Sequence, residues 1–439
     1  MSAIEAFAAG GGLVAASAGM WWLRSLGAGA PVQTGSAAVV ASAPLELRTA
    51  VFVFAEIQQR AHMWKALRLG SIETGFPPIE DWVYTDHGLR VDLLMLAGQS
   101  SADWNSETAC DAMAAILAVP EITVSFPHPG GVRLDLRVFD TLSAPVALPP
   151  VGTLGSVDLE AVPVGVTEAH DVWRLRVLYG HILLAGATGA GKGSVLWSIL
   201  AGIGPAIRDG LVDVLMADPK GGAEFGRGED RLFTRFATDT TTILALLREA
   251  VETLRDRLAH MRSAGVRKHI PTVDEPLILI IIDEAASLSA YAEREDQIEF
   301  KRLMGVLLSQ GRAAAVSVIA ALQDPSKETM PVRQLFPVRI GLRLDEPTQV
   351  AMVHGQGARA RGARCDKIST DTPGVGYVGE DGSTEFVRVR AFWVCDDTAD
   401  AIVDAYSPAP AIPSGSSDPE FDPTTFDPDD LGDESAAAA

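Results

Sequence analysis

An α/β domain built on a parallel sheet is the fold class that the larger part of this 439-residue sequence predicts. Three observations support it. From about residue 151, apolar strand-like runs alternate with helix-like runs, a pattern typical of a parallel sheet covered on both faces. One apolar run leads through a glycine-rich loop into a helix-like run. Another, the six apolar residues at 277–282, ends in two acidic residues.

The strands and the main helix of this sheet follow from the pattern. We predict strands at 181–186, 211–217, 277–283 and 315–321. A long helix over about 240–264 is predicted by apolar residues at helical spacing, namely Leu244, Leu247, Val251, Leu254, Leu258 and Met261. The simplest interpretation of these residues is that they face the core.

A small α+β unit precedes this domain. Its pattern predicts a helix over 47–70, a strand over 84–96, a helix over 101–118 and a hairpin of strands 122–126 and 132–138. The unit contains no cluster of residues that indicates chemistry, so assembly or coupling is its expected role. The predicted domains are therefore an N-terminal segment at 1–46, this unit at 47–150, the α/β domain at 151–406 and a tail at 407–439.

The two ends of the chain differ from the rest in composition. Residues 6–23 carry no charge, and 18 residues lie near the lower limit for crossing a bilayer. Two interpretations stay open: a membrane anchor whose C-terminal side is cytoplasmic, or a surface-lying helix or flexible arm. Residues 25–46 are predicted to be a linker. The tail at 407–439 is rich in Pro, Ser, Asp and Ala and is expected to be disordered and acidic.

The net charge and the cysteine content exclude few classes of function. The net charge is −21, but 12 of the 57 acidic residues lie after Cys395, where the sequence has no Lys or Arg. The global charge therefore does not exclude a nucleic-acid partner. Cys110, Cys365 and Cys395 are far apart and lack metal-ligand spacing, which fits an intracellular protein. Cytoplasmic placement is expected, either free or anchored to the inner face of the cell membrane.

The glycine-rich loop has the form of a phosphate-binding P-loop. The sequence Gly-Ala-Thr-Gly-Ala-Gly-Lys at 186–192 stands between a predicted strand and a predicted helix. Backbone N–H groups of such a loop converge on phosphate oxygens, and the lysine reaches the β- and γ-phosphates. The predicted nucleotide-binding residues are Gly186, Ala187, Thr188, Gly189, Ala190, Gly191, Lys192, Gly193 and Ser194.

One position departs from the P-loop pattern. A Ser or Thr whose hydroxyl binds Mg²⁺ normally follows the lysine, but Gly193 stands here and Ser194 follows it. Ser194 is the predicted replacement ligand, through a shifted helix start, with water as the alternative. A degenerate site that binds nucleotide without hydrolysing it is the other interpretation.

The acidic pair completes a hydrolytic site. Asp283 and Glu284 follow a buried strand, and ligands of parallel sheets gather at the carboxyl ends of the strands. Asp283 is the predicted Mg²⁺ ligand, and Glu284 is the predicted general base that orients or deprotonates water. Asp218 and Lys220 end another strand, where a plain turn and a place beside the nucleotide are equally plausible.

Two further residues are candidates for catalysis. Gln323 ends the strand at 315–321, where a glutamine can contact a γ-phosphate or its water. Arg312 precedes that strand, near the opposite end of the sheet, from which it could reach the nucleotide of a neighbouring subunit. The structural alternative for Arg312 is a charge that complements a helix C-terminus.

Four motifs in this order resemble the FtsK/SpoIIIE family of DNA-pumping ATPases over about residues 150–395. They are the loop at 186–192, Asp-Pro-Lys-Gly-Gly at 218–222, Ile-Ile-Asp-Glu at 281–284, and Gly-Arg-Ala at 311–313 with Ala-Leu-Gln-Asp-Pro at 321–325. The Gly-Lys-Gly-Ser ending and the length resemble actinobacterial plasmid and integrative-element transfer proteins most. The resemblance implies a RecA-like fold and a hexameric ring around double-stranded DNA. It also implies ATP at subunit interfaces, with Arg312 acting in trans and Gln323 as sensor.

The sequence thus predicts an ATP-driven double-stranded DNA translocase in the conjugative transfer of a mobile element, using ATP and Mg²⁺. The alternatives are a protein-secretion ATPase of the type VII kind and a non-hydrolysing nucleotide-binding scaffold. Two basic stretches are candidates for DNA contact, a stretch at 255–269 and a glycine-rich loop at 355–367. A solvated helix face is the alternative for the first, and a subunit interface for the second.

Overall fold

The structure, a computed structural model, describes residues 36–152, 157–326, 329–380, 382–383 and 385–408. The predictions for residues 6–23 and for most of the tail, 409–439, lie outside these ranges. In the part of the chain that the structure describes, no helix combines the length and the apolar character needed to cross a bilayer.

The first unit is a four-stranded antiparallel sheet covered by helices. The sheet has the order β1-β2-β4-β3. Its strands are β1 (Ile79–Thr85), β2 (Gly88–Leu94), β3 (Glu121–Ser125) and β4 (Gly131–Arg137). Its helices are α1 (Ser36–Ser42), α2 (Arg48–Ala55), α3 (Ile57–Ala66), α4 (Ser101–Asn105) and α5 (Glu107–Leu117). The tryptophans Trp64 and Trp104 meet edge to face in its core, with ring centroids 5.4 Å apart.

Several predictions for this unit are corrected. The helix predicted over 47–70 is two helices, because Glu56 adopts an extended conformation between them. The helix predicted over 101–118 is also divided, since Ser106 is extended and its side chain accepts a hydrogen bond from the N–H of Ala109 as an N-cap. The strand predicted over 84–96 is the end of one strand and all of the next, which pair across residues 86–87. Helix α1 lies within the predicted linker. The hairpin of β3 and β4 is confirmed.

The second unit is organised by one large sheet. Within the described residues its strand order is β10-β9-β11-β12-β8-β13-β14-β15-β6-β7, with β5 paired to β15. The strands from β10 to β13 in this order are parallel, and those beyond are antiparallel. The strands are β5 (Val146–Ala147), β6 (Val162–Thr167), β7 (Val172–Leu175), β8 (His181–Ala185), β9 (Val212–Ala217), β10 (Arg235–Ala237), β11 (Leu277–Ile282), β12 (Val316–Leu322), β13 (Val338–Leu342), β14 (Val375–Glu380) and β15 (Val387–Trp393).

Helices cover both faces of this sheet. They are α6 (Lys192–Arg208), α7 (Thr240–Ala264), α8 (Ala286–Ser289), α9 (Arg294–Gln310), α10 (Pro347–His354) and α11 (Asp396–Tyr406). Strand β11 explains why a central strand is apolar throughout: alternate residues enter the core beneath α6 and the core beneath α7 and α9. The four predicted strands and the long helix are confirmed within one residue, and so is the α/β class with a parallel sheet.

Ion pairs join the two units. Arg137 of β4 donates to Glu168 at 2.8 Å, and Arg388 of β15 donates to Asp140 at 2.8 Å. The loop that follows α10 adds two pairs. Arg359 reaches Glu107 at 2.7 Å, and Arg364 reaches Glu121 at 3.2 Å. The first unit is therefore attached to the sheet domain by charge as well as by the chain.

Candidate nucleotide-binding site

Five parallel strands end at the same edge of the sheet. The register aligns Ile282 with Ala217 and Ala320, and Ala185 with Leu322 and Gly341. The residues that follow these strand ends therefore lie side by side. They are Gly186 after β8, Asp218 after β9, Asp283 and Glu284 after β11, Gln323 after β12, and Arg343 after β13.

The P-loop adopts a conformation that only glycine tolerates well at two positions. Gly189 has φ = 73° and Gly191 has φ = 97°, both in the left-handed region. A Cβ on Gly191 would also lie 2.3 Å from the backbone nitrogen of Gly374. Helix α6 begins at Lys192, so its first free N–H groups and the positive end of its dipole face the loop. The loop is thus built to receive an anion.

The Lys192 ammonium is folded over this loop. Its Nζ donates to the carbonyl of Gly186 at 2.6 Å and to that of Ala187 at 3.4 Å. The side chain is 8% exposed. Burial lowers the pKa of Lys192 to about 8, although the Glu284 and Asp283 charges oppose that shift. A phosphate group would supply the missing counter-charge and better acceptors than two carbonyls.

Asp283 and Glu284 are both buried, but their carboxylates differ in the hydrogen bonds that they accept. Asp283 is 3% exposed and accepts a hydrogen bond from the Lys220 Nζ at 2.6 Å. Glu284 accepts at Oε1 from the backbone N–H of Gln323 at 3.3 Å, while its Oε2 is buried and has no partner. Burial raises the pKa of Glu284. A carboxylate with one free oxygen and a raised pKa has the properties of a general base.

The structure brings Gln323 to the P-loop. Its Oε1 accepts a hydrogen bond from the Thr188 hydroxyl at 3.0 Å. Strand β12 lies between β8 and β11, so Gln323 stands between the loop and the acidic pair. A side chain in that place can sense what occupies the space between them.

Arg312 does not join this edge. It lies in the short 3₁₀ turn before β12, and its Nε donates to the carbonyl of Tyr179 at 3.0 Å, just before β8. Both positions precede parallel strands, so Arg312 lies at the opposite edge from the P-loop of its own chain. This is the placement that the sequence predicts. The role of Arg312 towards a neighbouring subunit stays a prediction.

Two residues of this edge were not among the predicted site residues. Arg343 donates from Nη2 to the carbonyl of Thr188 at 2.7 Å and pairs with Asp345 at 2.9 Å. Glu224 lies in the loop after β9, with its carboxylate against Gly193. A strand prediction at 338–342 would have placed Arg343 at the edge. Glu224 carries no comparable signal, because it follows its strand end by seven residues.

Asp218 supports the loop that contains Glu224. It is fully buried, and its carboxylate accepts the N–H groups of Lys220 at 3.1 Å and of Glu224 and Phe225 at 3.3 Å. The turn interpretation of Asp218 is thus confirmed. Lys220 supports the other interpretation, since it reaches Asp283.

The donor set fits a hard divalent cation held together with a nucleotide. Mg²⁺ is typically bound through one or two carboxylates, with phosphate oxygens and water completing its shell. Asp283 and Glu224 supply carboxylates here, and the free Oε2 of Glu284 lies in the same acidic surroundings. Among the described residues there is no group of three His, Cys, Asp or Glu side chains able to hold a metal alone.

Ser194 does not occupy the place of the missing hydroxyl. Helix α6 begins at Lys192, so position 193 keeps its usual place in the first turn, and Ser194 is rotated from it by about 100°. Position 193 is the one that faces Glu224. The helix start is not shifted as the replacement by Ser194 requires, and Ser194 as metal ligand stays an untested prediction.

Part of each basic stretch is engaged within the chain. Arg257 is 6% exposed and donates to the carbonyls of Ala314 and Pro276 at 3.1 and 2.7 Å. In the loop after α10, Arg359 and Arg364 bind carboxylates of the first unit. The loop is thus part of the contact between the units. Arg255, Arg262 and Arg267 of the first stretch are exposed.

Comparison with known proteins agrees with this geometry. Residues 140–275 match the model of the FtsK/SpoIIIE family. The chain is similar to this family over that segment, which is less than half of its length. It is 24% identical over 348 residues to the DNA translocase FtsK of Bacillus cereus, covering 73% of this chain and 40% of that protein. It is also 24% identical to the DNA translocase SpoIIIE of Bacillus subtilis, covering 73% and 41%. The chain spans about two fifths of the length of these relatives.

A solved structure shares the fold of this chain. The pCW3 conjugation coupling protein TcpA, in a monomer form with ATPγS, superposes with a TM-score of 0.51 at 19% identity. The superposition covers 78% of this chain and 97% of that one. The likeness supports the mixed α/β architecture.

Proposed function

We propose that this chain is an ATP-driven motor that moves double-stranded DNA. One observation carries the proposal: the P-loop after β8 and the Asp283–Glu284 pair after β11 lie at one edge, and Gln323, which follows β12, lies between them. This arrangement would bring a bound phosphate chain together with a metal ligand, a base and a sensor. Similarity to the FtsK/SpoIIIE family and to two DNA translocases supports double-stranded DNA as the polymer that is moved.

Each residue of the site has a role in hydrolysis. Lys192 and the N-terminus of α6 would hold the phosphates, and Arg343 would fix the loop through the Thr188 carbonyl. Asp283, released from Lys220, would bind Mg²⁺, which polarises the phosphoryl oxygens when bound. Glu284 would accept the proton of the attacking water at its free Oε2. Gln323 would orient that water.

The position of Arg312 supports an assembly in which subunits form a ring. Because it lies at the opposite edge of the sheet, it can complete only the site of another subunit. We propose a hexameric ring in which Arg312 of each subunit stabilises transition-state charge at its neighbour's nucleotide. DNA would pass through the ring and be held by phosphate contacts, which need no sequence recognition.

Conjugative transfer of a mobile element is the proposed setting. The likeness of the P-loop ending to actinobacterial transfer proteins supports it. We place the motor in the cytoplasm, either free or tethered to the inner face of the cell membrane through residues 6–23.

Stimulation of ATP hydrolysis by DNA tests the proposal. Turnover by the full chain is measured with and without long double-stranded DNA, beside Lys192→Ala and, as a matched control, the exposed Lys301→Ala of α9. We expect turnover to rise several-fold with DNA, to vanish in Lys192→Ala and to persist in Lys301→Ala. Salt should weaken the stimulation, since counterion release drives phosphate contacts.

The other outcomes distinguish the alternatives. Turnover that ignores DNA but responds to a substrate peptide would favour a protein-secretion ATPase. ATP binding without turnover, in the presence of Mg²⁺ and DNA, would favour a nucleotide-binding scaffold. Either result would contradict the translocase.

A further inference from the structure

Gly193 and Glu224 compete for one volume at the start of helix α6. A Cβ built on Gly193 would lie 2.0 Å from Oε1 of Glu224 and 2.9 Å from its Cδ. No side-chain atom fits at 2.0 Å from a carboxylate oxygen. A side chain at the position that follows the P-loop lysine would therefore require the Glu224 carboxylate to move from its present place. The glycine at 193 leaves room for the carboxylate oxygens of Glu224, which lies in the loop after β9.

The backbone of Glu224 is held in place. The fully buried Asp218 accepts the N–H groups of Glu224 and of Phe225. Phe225 is also fully buried and stacks on Trp197 of α6, with ring centroids 5.3 Å apart. Trp197 lies four residues after Gly193, one helical turn further along. The loop is thus anchored to the same helix whose first turn Glu224 touches.

Lys220 and Arg227 lie close enough to lower the pKa of Glu224, but desolvation and the acidic neighbours outweigh them. The nearby Asp283 already binds Lys220, and Lys192 is turned towards the P-loop carbonyls. Glu284, 7% exposed, adds a buried carboxylate oxygen without a partner. Desolvation and the charge of Asp283 raise the pKa of Glu224. A divalent cation between the carboxylates and a nucleotide would relieve this repulsion.

We propose that the Glu224 carboxylate replaces the P-loop hydroxyl as a protein ligand of the divalent cation that accompanies the nucleotide. The inference rests on the proposed nucleotide binding and names the residue that makes the site workable without Ser or Thr at 193. A carboxylate carries a charge that a hydroxyl lacks, and Mg²⁺ prefers such oxygen ligands. Glycine at 193 then means that the metal ligand is supplied by the loop after β9 instead of by helix α6. A site without Ser or Thr at 193 can therefore still bind the cation.

Metal affinity measured apart from hydrolysis tests this assignment. Mn²⁺ binding to the full chain is titrated by electron paramagnetic resonance with saturating ATPγS, for wild type, Glu224→Gln and Glu224→Ala. Binding of a fluorescent ATP analogue in EDTA is measured in parallel. The control is Glu229→Ala, an exposed carboxylate five residues further along. We expect tenfold or greater loss of Mn²⁺ affinity in both Glu224 variants, unchanged binding in EDTA, and wild-type behaviour in the control.

A second test exchanges the carboxylate at 224 for a hydroxyl at 193. Gly193→Ser in the Glu224→Ala background restores a hydroxyl where the carboxylate has been removed, and we expect it to recover most of the Mn²⁺ affinity. Gly193→Ser alone should lower Mn²⁺ affinity, because the new side chain displaces Glu224. A merely structural Glu224 would show no such rescue. Because Glu224→Gln is isosteric, it keeps the test valid if the serine variants fold poorly.

Three results would overturn the assignment. Wild-type Mn²⁺ affinity in Glu224→Gln and Glu224→Ala would show that Glu224 is not a ligand. Tighter Mn²⁺ binding in Glu224→Ala would show that the carboxylate blocks the site. If wild type binds no nucleotide with or without metal, the proposed function fails and this inference fails with it.

Discussion

The hydroxyl of Thr188 donates a hydrogen bond to Oε1 of Gln323 at 3.0 Å. The two residues are 135 positions apart and lie in the loops that follow two neighbouring parallel strands. The backbone N–H of the same Gln323 contacts Glu284 at 3.3 Å. One residue therefore links the P-loop with the proposed base, and a change at the nucleotide can reach both.

Replacing Gln323 should separate binding from hydrolysis. In Gln323→Ala the P-loop and Lys192 remain, so we expect the Kd for ATPγS to stay within about threefold of wild type. We expect kcat to fall by about 100-fold, as when one preorganised hydrogen-bonding group is removed from a transition state. The exposed Gln59→Ala serves as control. Equal losses in affinity and kcat would contradict a sensor role.

Nucleotide binding should take up a proton near pH 8. The pKa of Lys192 is about 8 in the free protein because burial disfavours its charge, and phosphates would raise it. Between pH 8 and 10 binding should therefore consume up to one proton, and affinity should fall as the pH rises. Calorimetry in two buffers of different ionisation enthalpy measures this uptake. Lys192→Arg should abolish it, since the guanidinium stays charged.

The pH dependence of hydrolysis should report Glu284. Burial raises its pKa, so its carboxyl becomes protonated at a higher pH than an ordinary glutamate. A protonated base cannot accept the proton of water, so kcat should fall as the pH decreases through this raised pKa. Glu284→Gln should retain ATP binding, lose about 100-fold or more in kcat and lose this acidic limb. An unchanged acidic limb in the variant would assign it to another group.

Arg312 should act on a neighbour's site. Arg312→Ala should bind ATP normally and lose about 1,000-fold in kcat. Lys192→Ala subunits retain Arg312 and should therefore rescue Arg312→Ala subunits when the two inactive proteins are mixed. Turnover is measured across mixing ratios, with the thermal midpoint of each variant as a check, because Arg312 also binds the Tyr179 carbonyl. If no ratio restores activity, Arg312 does not work in trans.

The Arg364–Glu121 pair should stabilise the contact between the units. Both side chains are partly buried, and a double-mutant cycle with Arg364→Ala and Glu121→Ala should give a coupling of about 1 kcal/mol in the free energy of unfolding. DNA affinity should change little in Arg364→Ala, because the guanidinium is already paired. A loss of DNA affinity without a loss of stability would instead restore this loop as a DNA contact.

The local sequence pattern was sufficient to predict much of the fold and of the site. The apolar run at 277–282 predicts a buried central strand because each residue enters one of two cores, and the structure has that strand. The P-loop was predicted from its glycine-rich sequence, and Asp283, Glu284 and Gln323 were predicted from their places at strand ends. The divided helices of the first unit were missed, since extended residues such as Glu56 and Ser106 carry weak local signals.

The sequence by itself determined the α/β class, the P-loop, the acidic pair and the family resemblance, because each can be recognised from short stretches of neighbouring residues. Only the tertiary structure decided which distant groups meet. It placed Glu224 in the space left by Gly193, Arg343 on the Thr188 carbonyl, and the arginines at 359 and 364 on the first unit. Such contacts depend on strand order and loop anchoring, which no local pattern encodes.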